Sequence, residues 1–447
     1  MDTARCLRGW RHDRPGCAWG RHGALVGLAV AALVLWALPA AAAVRLTLMG
    51  AYPKGGADAA GTILEEYVQE YQRLHPDVEI VRVPRTGTDQ EAMEKIYVSI
   101  AAGVPPDVVF IPQVFLTDYV ARGVVQPVPR VYRSRIAAAY LPGALQLATY
   151  QGELYGFPTE SQPQALAYNA AVFSQAGLPD APPATWEELR TLARKLTRRQ
   201  ADGELVRAGY GILTYATPIS AYVLSYSRAH GDLPIQPDLR RVNFSGAGSV
   251  AAVEFLRILY REDQTAVLEM EGFTENRLGM FFAHGPWQAA GFRSVGEAFY
   301  EGLRSAVPPR GSTGTPQTTF YGYLWAVTPY TREIEAAYRF LFWLCTEVTE
   351  KGTTRMGDVL EALGSIPNTS ADASNQPSMK EPFMQGFLQG VVTGAAKPIP
   401  AIPAWLESFG ELTRRVNEVL EGKMPARQAM SEVDRFIQAK LDAYYAR

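Results

Sequence analysis

The chain has 447 residues, of which 47% are hydrophobic and 20% are charged, a composition that excludes an intrinsically disordered protein and predicts two to three globular domains. The formal net charge of −2 excludes a nucleic-acid binder that works through a basic surface. The 3 cysteines are too few for a disulfide framework or for a four-cysteine zinc site.

The first 43 residues have the three parts of a secretory signal peptide. Residues 1–22 carry five arginines against two aspartates, and an uncharged apolar run follows from Gly23 to Leu38. Four alanines at 40–43 then supply a cleavage site. The apolar run has 16 residues, fewer than the roughly 20 that span a bilayer. The sequence therefore predicts export by a Sec-type signal to the periplasm or another extracytoplasmic compartment, with an uncleaved N-terminal anchor as the alternative.

Strands and helices alternate directly after this signal. Two strands with alternating apolar residues and one fully apolar strand are predicted at Val44–Met49, Val78–Val83 and Val108–Ile111. Two helices are predicted between them, one that ends at His75 and one over residues 90–102. This alternation of strand and helix predicts an α/β fold.

The predicted elements further along the chain are mostly helices. Residues Thr185–Glu188 form a capping box that begins one helix, and Gly246–Ala251 begins another. The second motif also matches a dinucleotide fingerprint, but the preceding strand and the later acidic residue that this fingerprint needs are missing. Residues 405–421 and 427–446 form a final helical pair, and the polar stretch Asn368–Lys380 is predicted to be a loop-like crossover between domains.

No catalytic motif accompanies this pattern. The three histidines after the signal, His75, His230 and His284, lack the spacing of a zinc-binding His-Glu-x-x-His helix. The sequence has neither a Gly-x-Ser-x-Gly elbow nor a phosphate-binding loop. Adjacent carboxylates such as Glu65 and Glu66 fall on predicted exposed helix faces and indicate no glycosidase pair. The sequence therefore predicts no catalytic residue, no metal site and no cofactor, and it favours a binding protein over an enzyme.

Several short motifs follow one another along the whole chain after the signal. In order they are Ala102–Val109 (AGVPPDVV), Gly152–Pro158 (GELYGFP), Leu166–Asn169 (LAYN), Pro182–Leu189 (PPATWEEL), Gly285–Trp287 (GPW), Pro398–Trp405 (PIPAIPAW) and Gly422–Met424 (GKM). In order and spacing the chain resembles the bacterial extracellular solute-binding proteins of ABC importers, specifically the maltose-binding-like group. It departs from that group in its first loop, which lacks the usual tryptophan, and at 321–323, where Tyr-Gly-Tyr replaces a pair of glycines. Both departures fall near the expected ligand cleft.

The resemblance implies a two-lobed periplasmic-binding-protein fold of the type II kind. Each lobe is expected to be a mixed, mostly parallel sheet flanked by helices, and hinge crossovers are expected to join the lobes. After the signal peptide at 1–43, the expected N-terminal lobe comprises 44–162 and 317–370, and the expected C-terminal lobe comprises 163–316 and 371–447.

The resemblance also implies a function. Such a protein is the extracytoplasmic substrate-binding component of an ABC importer, which captures a carbohydrate by closing its lobes and delivers it to the transmembrane permease subunits. The expected ligand is a disaccharide or an oligosaccharide. The protein is expected to be a monomer that binds no nucleic acid.

Candidate ligand-binding residues follow from the matching positions and from strand ends. Trp287 and Trp405 are expected to stack on sugar rings, with burial in the core as the alternative. The other candidates, for which a solvated loop or a structural role is the alternative, are Tyr52, Gln113, Glu160, Gln162, Tyr321 and Tyr323. Trp186 and Trp343 are predicted to be structural, and Trp325 is left undecided.

Other functions remain open at this point. The same role for an anionic ligand such as a glycerol phosphate ester would need a cation, for which Arg82, Arg85 and Arg310 are conceivable although surface charge is the default reading. An exported glycoside hydrolase would need a carboxylate pair across the cleft. A ferric-ion binder would need adjacent tyrosines, which occur only at 444–445 near the chain end.

Overall fold

The computed structural model describes residues 44–53, 59–311 and 314–446, and the predicted signal peptide lies outside these residues. The strands in this part of the chain are β1 (Val44–Met49), β2 (Val78–Val83), β3 (Val108–Pro112), β4 (Thr149–Tyr150), β5 (Glu153–Leu154), β6 (Phe157–Pro163), β7 (Ala165–Asn169), β8 (Arg198–Arg199), β9 (Leu205–Gly211), β10 (Ala266–Val267), β11 (Leu278–Ala283), β12 (Leu303–Ala306), β13 (Thr318–Val327), β14 (Ile366–Pro367) and β15 (Ala396–Pro398).

The α-helices of the same residues flank these strands. They are α1 (Ala59–Leu74), α2 (Asp89–Ala101), α3 (Leu116–Ala121), α4 (Arg130–Ala139), α5 (Pro142–Leu145), α6 (Ala170–Gln175), α7 (Trp186–Leu196), α8 (Ala216–Ala229), α9 (Ala247–Arg257), α10 (Gln288–Val295), α11 (Glu297–Glu301), α12 (Ile334–Cys345), α13 (Arg355–Leu363), α14 (Ser370–Asn375), α15 (Gln385–Val392), α16 (Trp405–Leu420) and α17 (Ala426–Tyr445). In this part of the chain, no helix combines the length and the apolar character needed to cross a bilayer.

The first sheet has the strand order β14-β6-β13-β3-β1-β2, and β15 pairs with β13. β1 runs parallel to β2 and to β3, whereas β13 runs antiparallel to β3 and to β6. All five residues of β3 are buried, as expected for a strand covered on both faces. In β2 only alternate residues are buried, because one of its faces is more open to solvent.

The second sheet has the order β10-β9-β11-β7-β12, and β8 pairs with β9. The fully buried β11 lies at its centre, parallel to β9 and antiparallel to β7. The long C-terminal helices α16 and α17 pack against one another and against α9, and α16 also packs against α8. Both sheets are flanked by helices, so the predicted α/β class is confirmed.

Gln164 alone separates β6 of the first sheet from β7 of the second. Its amide nitrogen Nε2 donates to the carbonyl of His284 at 3.2 Å, and Thr319 Oγ1 donates to its Oε1 at 2.6 Å. The strands that pass between the sheets are therefore joined by buried hydrogen bonds. The predicted lobe boundaries stay a prediction; β15, in the range predicted for the C-terminal lobe, pairs with β13 of the first sheet.

The predicted loop-like crossover Asn368–Lys380 instead forms α14 and a short 3-10 helix. Several of its polar side chains, among them Asn368, Asp372 and Gln376, are buried because they bond to backbone and side chains nearby. Asp372 is 1% exposed and accepts hydrogen bonds from the backbone nitrogen of Thr354 and from Thr369 Oγ1, both at 2.6 Å. Polarity in this stretch marks helix caps rather than a solvated loop.

The helix predicted from the capping box at Thr185 is α7, but only half of the box forms. Thr185 Oγ1 accepts from the backbone nitrogen of Glu188 at 3.2 Å, whereas the Glu188 carboxylate accepts from Ala184 instead of Thr185. Trp186 has the structural role predicted for it, because its Nε1 donates to the carbonyl of Pro309. Trp325 and Trp343 are buried in the core.

Candidate ligand-binding site

Four of the predicted site residues lie opposite one another on the two strands that cross between the sheets. In the antiparallel ladder of β6 and β13, Gln162 faces Tyr321 and Glu160 faces Tyr323. Residues directly opposite in such a ladder project to the same side of the sheet. The sequence predicted these four residues separately, and the strand register brings them together on one face.

Glu160 is the acidic centre of this face. It is 2% exposed, and one carboxylate oxygen accepts hydrogen bonds from Ser365 Oγ at 2.9 Å and from Gln162 Nε2 at 3.2 Å. Burial raises the pKa of Glu160 to about 7, although the hydrogen bond from Ser365 and the charge of Arg85 act in the opposite direction. Ser365 directly precedes β14, so this carboxylate also links two of the strands of the first sheet.

Tyr323 forms a second polar group on the same face. Its hydroxyl donates to Asp89 at 2.9 Å and accepts from Arg85 Nη1 at 3.2 Å, and the Arg85 guanidinium also pairs with Asp89 at 2.5 Å. The Tyr323 ring stacks on Phe110 with centroids 5.2 Å apart and an interplanar angle of 5°. Tyr323 is thus fixed on both its polar and its apolar side.

The second sheet contributes a cluster of rings. His284 directly follows β11, and its imidazole stacks on Tyr321 with centroids 5.3 Å apart. Trp287 and Tyr215 each lie edge-on to His284 at 6.1 Å. Trp287 is 40% exposed and Tyr215 is 52% exposed. Large aromatic surfaces therefore remain open to solvent where residues of both sheets meet.

The loop of Trp287 approaches the first sheet at Gly364. This residue ends α13 with a φ of +74°, a backbone conformation that favours glycine. A Cβ placed on it would lie 3.8 Å from the Cα of Trp287, in ordinary van der Waals contact. The loop of Trp287 therefore lies against the end of α13.

Several polar atoms of this cluster have no hydrogen-bond partner within the described residues. They are Oε1 of Gln162 and both ring nitrogens of His284. Burial lowers the pKa of His284 to about 4, so the imidazole is neutral at pH 7, with one nitrogen as donor and the other as acceptor. Buried polar groups without partners are costly, and a ligand hydroxyl group can supply the missing hydrogen bonds.

The remaining predicted site residues lie elsewhere. Tyr52 is buried and packs on Phe110, so it contacts the ring that supports Tyr323. Gln113 donates its Nε2 to the carbonyl of Ile399 at 2.8 Å. Trp405 is 5% exposed, and its ring lies 4.9 Å from that of Phe409 and 6.2 Å from that of Phe115. None of these contacts joins the rings around His284, and the roles of all eight residues in ligand binding stay predictions.

Sequence reasoning missed His284, Tyr215, Ser365 and the Arg85–Asp89 pair. A signal for His284 was present, because it follows an apolar strand directly and precedes the Gly-Pro-Trp motif. The surface reading of Arg82 was wrong. Its guanidinium is buried, where it donates to the carbonyl of Tyr52 at 2.7 Å and pairs with Glu65 at 2.9 Å.

Metal binding finds no support in the described part of the chain, where no group of three or more His, Cys, Asp or Glu side chains could hold an ion. The adjacent Tyr444 and Tyr445 contact each other edge to face at 5.1 Å. Their position on the last turn of α17 places them outside the ring cluster.

A two-sheet α/β fold whose crossover strands carry an aromatic and polar cluster is that of a solute-binding protein. The chain belongs to the family described as bacterial extracellular solute-binding protein, whose model matches residues 55–350. The family predicted from the sequence motifs is confirmed.

The curated relatives match parts of the chain. A putative binding protein of Brucella abortus is 29% identical over 104 residues, which cover 23% of this chain and 25% of that protein. A probable ABC transporter-binding protein of Deinococcus radiodurans is 24% identical over 272 residues, or 58% of this chain and 63% of that one. The chain thus matches about a quarter of the length of the first relative and less than two thirds of the second.

Solved structures match almost the whole chain. The cyclic alpha-maltosyl-1,6-maltose binding protein of Arthrobacter globiformis has a TM-score of 0.74 at 18% identity, covering 90% of this chain and 99% of that one. The sugar-binding protein MalE of Xanthomonas citri has a TM-score of 0.75 at 18% identity, covering 90% and 98%. At this identity the likeness concerns the fold, and it confirms the predicted two-lobed architecture.

Proposed function

We propose that this protein is the extracytoplasmic substrate-binding component of an ABC importer and that it captures a neutral disaccharide or oligosaccharide. The observation that carries the proposal is the exposed ring of Trp287 beside polar atoms of His284 and Gln162 that have no partner in the described part of the chain. Sugars need this combination, because their C–H faces pack on aromatic rings and their hydroxyl groups need both donors and acceptors.

The named ligands of the structural neighbours support a carbohydrate. The Arthrobacter globiformis protein is described as binding cyclic alpha-maltosyl-1,6-maltose, and another neighbour is a cyclo/maltodextrin-binding protein in complex with maltotetraose. In this chain Glu160, Gln162, Tyr321 and Tyr323 would take the sugar hydroxyls, and Trp287 would stack on a sugar ring.

The arrangement of the cluster suits capture by lobe closure. Trp287 and His284 follow a strand of the second sheet, whereas Tyr323 lies on β13 of the first sheet and Arg85 follows β2 of that sheet. A ligand that contacts both groups stabilises the closed arrangement by its differential affinity for it. In this proposal the lobes have the boundaries predicted above, a Sec-type signal exports the protein, and the closed monomer delivers the sugar to the permease.

Two of the three arginines considered for an anionic ligand are already paired with carboxylates and the third lies on the surface, which favours a neutral ligand. Arg82 is buried against Glu65, and Arg85 is paired with Asp89. Arg310 lies on the surface and donates to the carbonyl of Gly311 at 3.4 Å. A phosphate ester in the cluster would therefore lie near the carboxylates of Glu160 and Asp89. None of the three arginines would be available to neutralise its charge.

Binding of a panel of ligands tests the proposal. Isothermal titration calorimetry of the purified protein with maltose, maltotetraose, mannobiose and glycerol 3-phosphate is expected to show binding of a neutral sugar and none of the phosphate ester. Trp287→Ala is expected to weaken sugar binding at least tenfold, which corresponds to about 1.4 kcal/mol. Tyr330→Ala, which removes a similarly exposed ring outside the cluster, is the matched control.

Two results would overturn the proposal. Preferential binding of glycerol 3-phosphate would favour the anionic ligand, and release of shorter sugars from maltotetraose would favour a hydrolase. Chromatography of maltotetraose after prolonged incubation with the protein detects any shorter sugars. Recovery of all the maltotetraose that was added supports binding without turnover.

A further inference from the structure

A cavity of about 560 Å³ lies apart from the cluster of rings around His284. Its wall comprises residues from five parts of the chain, namely Gln113 and Leu116, four residues within 146–150, six residues within 228–239, Gln317, and residues 397–401. Neither Trp287, His284 nor any of the four clustered residues of β6 and β13 lines it. The volume falls in the range of about 300–1,000 Å³ that holds small organic ligands.

Arg228 is the unusual residue of this wall. It lies at the C-terminal end of α8, and its Nη1 is sealed from solvent without a hydrogen-bond partner among the described residues. No carboxylate within those residues pairs with it. Burial lowers its pKa to about 10, which still leaves it protonated at neutral pH. A buried guanidinium nitrogen without a partner is costly, so the site is suited to receive an anion.

The other charges of the wall are consistent with an anionic ligand. Lys397 adds a second cation, and Asp232 contributes the one carboxylate of this wall. Asp232 is already engaged, because it accepts a hydrogen bond from the backbone nitrogen of Gly248 near the start of α9. Among the described residues, the wall therefore presents two cations, Arg228 and Lys397, and one carboxylate, Asp232, which is hydrogen-bonded to the backbone.

Most of the remaining wall is apolar. The apolar side chains that line it are Leu116, Leu147, Leu233, Pro237, Leu239, Pro398, Ile399, Pro400 and Ala401. Gln113 adds a hydrogen-bond acceptor to the wall. Its Nε2 donates to the carbonyl of Ile399, whereas its Oε1 has no partner among the described residues. Inorganic anions would leave this apolar surface uncovered. An organic anion with a hydrocarbon body would cover it.

We propose that this cavity is a second ligand site, which binds a small organic carboxylate through Arg228 and packs the apolar body of that molecule against the leucine and proline side chains. A guanidinium can bind a carboxylate through two parallel hydrogen bonds, which fixes the ligand's orientation. The wall combines Gln113 and Leu116, which follow β3 of the first sheet, with residues that follow α8, a helix that packs on β13 of the first sheet and on β11 of the second. The bound molecule would thus contact segments attached to both sheets.

Benzoate and hexanoate are suitable probes, with benzamide and hexanamide as neutral counterparts of the same size. Isothermal titration calorimetry is expected to detect a carboxylate that binds at least tenfold more tightly than its amide. Arg228→Gln is expected to abolish this preference. Arg427→Gln removes one exposed arginine that does not line the cavity, and it is expected to behave as the unchanged protein.

The outcome can be separated from that of the proposed sugar site. Trp287→Ala is expected to lose sugar binding and to keep the response to benzoate. The second site is excluded if neither carboxylate binds, if the amides bind equally well, or if Arg427→Gln reduces binding as much as Arg228→Gln. Circular dichroism of the variants shows whether a loss of binding reflects a loss of fold, and Arg228→Lys, which keeps the charge, is then expected to retain part of the preference.

Discussion

The imidazole of His284 lies nearly parallel to the phenol ring of Tyr321, with centroids 5.3 Å apart and an interplanar angle of 23°. Tyr321 belongs to a strand of the first sheet, and His284 follows a strand of the second. The stack therefore joins the two sheets at the point where the candidate site lies. A rotation of one sheet relative to the other would have to separate or slide these two rings.

His284→Leu is expected to separate ligand binding from stability. The buried imidazole nitrogens have no partner among the residues that the structure describes, so leucine in their place should leave the free energy of unfolding unchanged or higher. Sugar affinity should fall about tenfold because a neutral hydrogen bond to the ligand is lost. Urea denaturation and calorimetry measure the two effects. Equal sugar affinity in His284→Leu and in the remote variant His75→Leu would show that His284 does not contact the ligand.

Trp405 and Trp287 are expected to respond differently to truncation. Trp405 is 5% exposed and packs on Phe115 and Phe409, so Trp405→Ala should cost about 3–5 kcal/mol of stability. Trp287 is 40% exposed, and Trp287→Ala should cost less than about 1 kcal/mol while it weakens sugar binding. Thermal and urea denaturation measure the stabilities.

Trp405→Phe decides whether Trp405 also stacks on a sugar. This variant keeps an aromatic ring in the core, and we expect sugar affinity to stay within about twofold of the unchanged protein. A large loss of affinity with retained stability would support the stacking role predicted from the sequence.

Stability should depend on the protonation of Glu160. Its pKa is about 7 in the folded protein and near 4.5 in an exposed carboxyl, so the folded state keeps the proton to higher pH than the unfolded state does. The free energy of unfolding should therefore fall as the pH rises from about 4.5 through about 7, by an amount on the order of 3 kcal/mol.

Glu160→Gln removes this dependence. Urea denaturation at pH 8 should show the variant to be more stable than the unchanged protein, and the difference should shrink towards pH 5. Glu350→Gln, at an exposed position, should change stability equally at both pH values. A gain in Glu160→Gln that is the same at pH 5 and pH 8 would contradict the effect of burial on this carboxyl.

Gly322 lies between Tyr321 and Tyr323, and its lack of a side chain lets β13 approach β6. A Cβ at this position would lie 2.1 Å from the carbonyl oxygen of Glu160, so Gly322→Ala must push the two strands apart. We expect a loss of about 1–3 kcal/mol together with weaker sugar binding, because both tyrosines move. Gly143→Ala, which meets no atom within 4 Å, is the control and should leave stability and binding unchanged. Equal stability of the two variants would show that the strands can separate at no cost.

The alternation of strands and helices was readable from the sequence because local periodicity determines it. The apolar run at Val108–Ile111 and the three-and-four spacing before His75 each reflect burial of a single element. The motif order then indicated the family. The polar stretch Asn368–Lys380 was misread because buried polar side chains that cap helices have the same composition as a solvated loop.

The candidate site was only partly predictable, because it depends on contacts between distant parts of the chain. Glu160 and Tyr323 are separated by more than 160 residues, and only the register of β6 and β13 makes them neighbours. His284 follows an apolar strand and precedes the Gly-Pro-Trp motif, but its ring stack with Tyr321 forms only when the two sheets come together. The burial of Trp405 likewise depends on Phe115, almost 300 residues earlier.

The second sheet takes its strands from one continuous stretch, residues 165–306, whereas β13 of the first sheet must find β3 more than 200 residues away. Closing so large a loop is slow, and partners close in sequence pair sooner. Although β1 and β2 are close in sequence, we therefore expect the second sheet to complete its native pairing before the first sheet does. The first sheet would then be completed around it, and its unpaired strand edges would be the part of the nascent protein most in need of protection from aggregation.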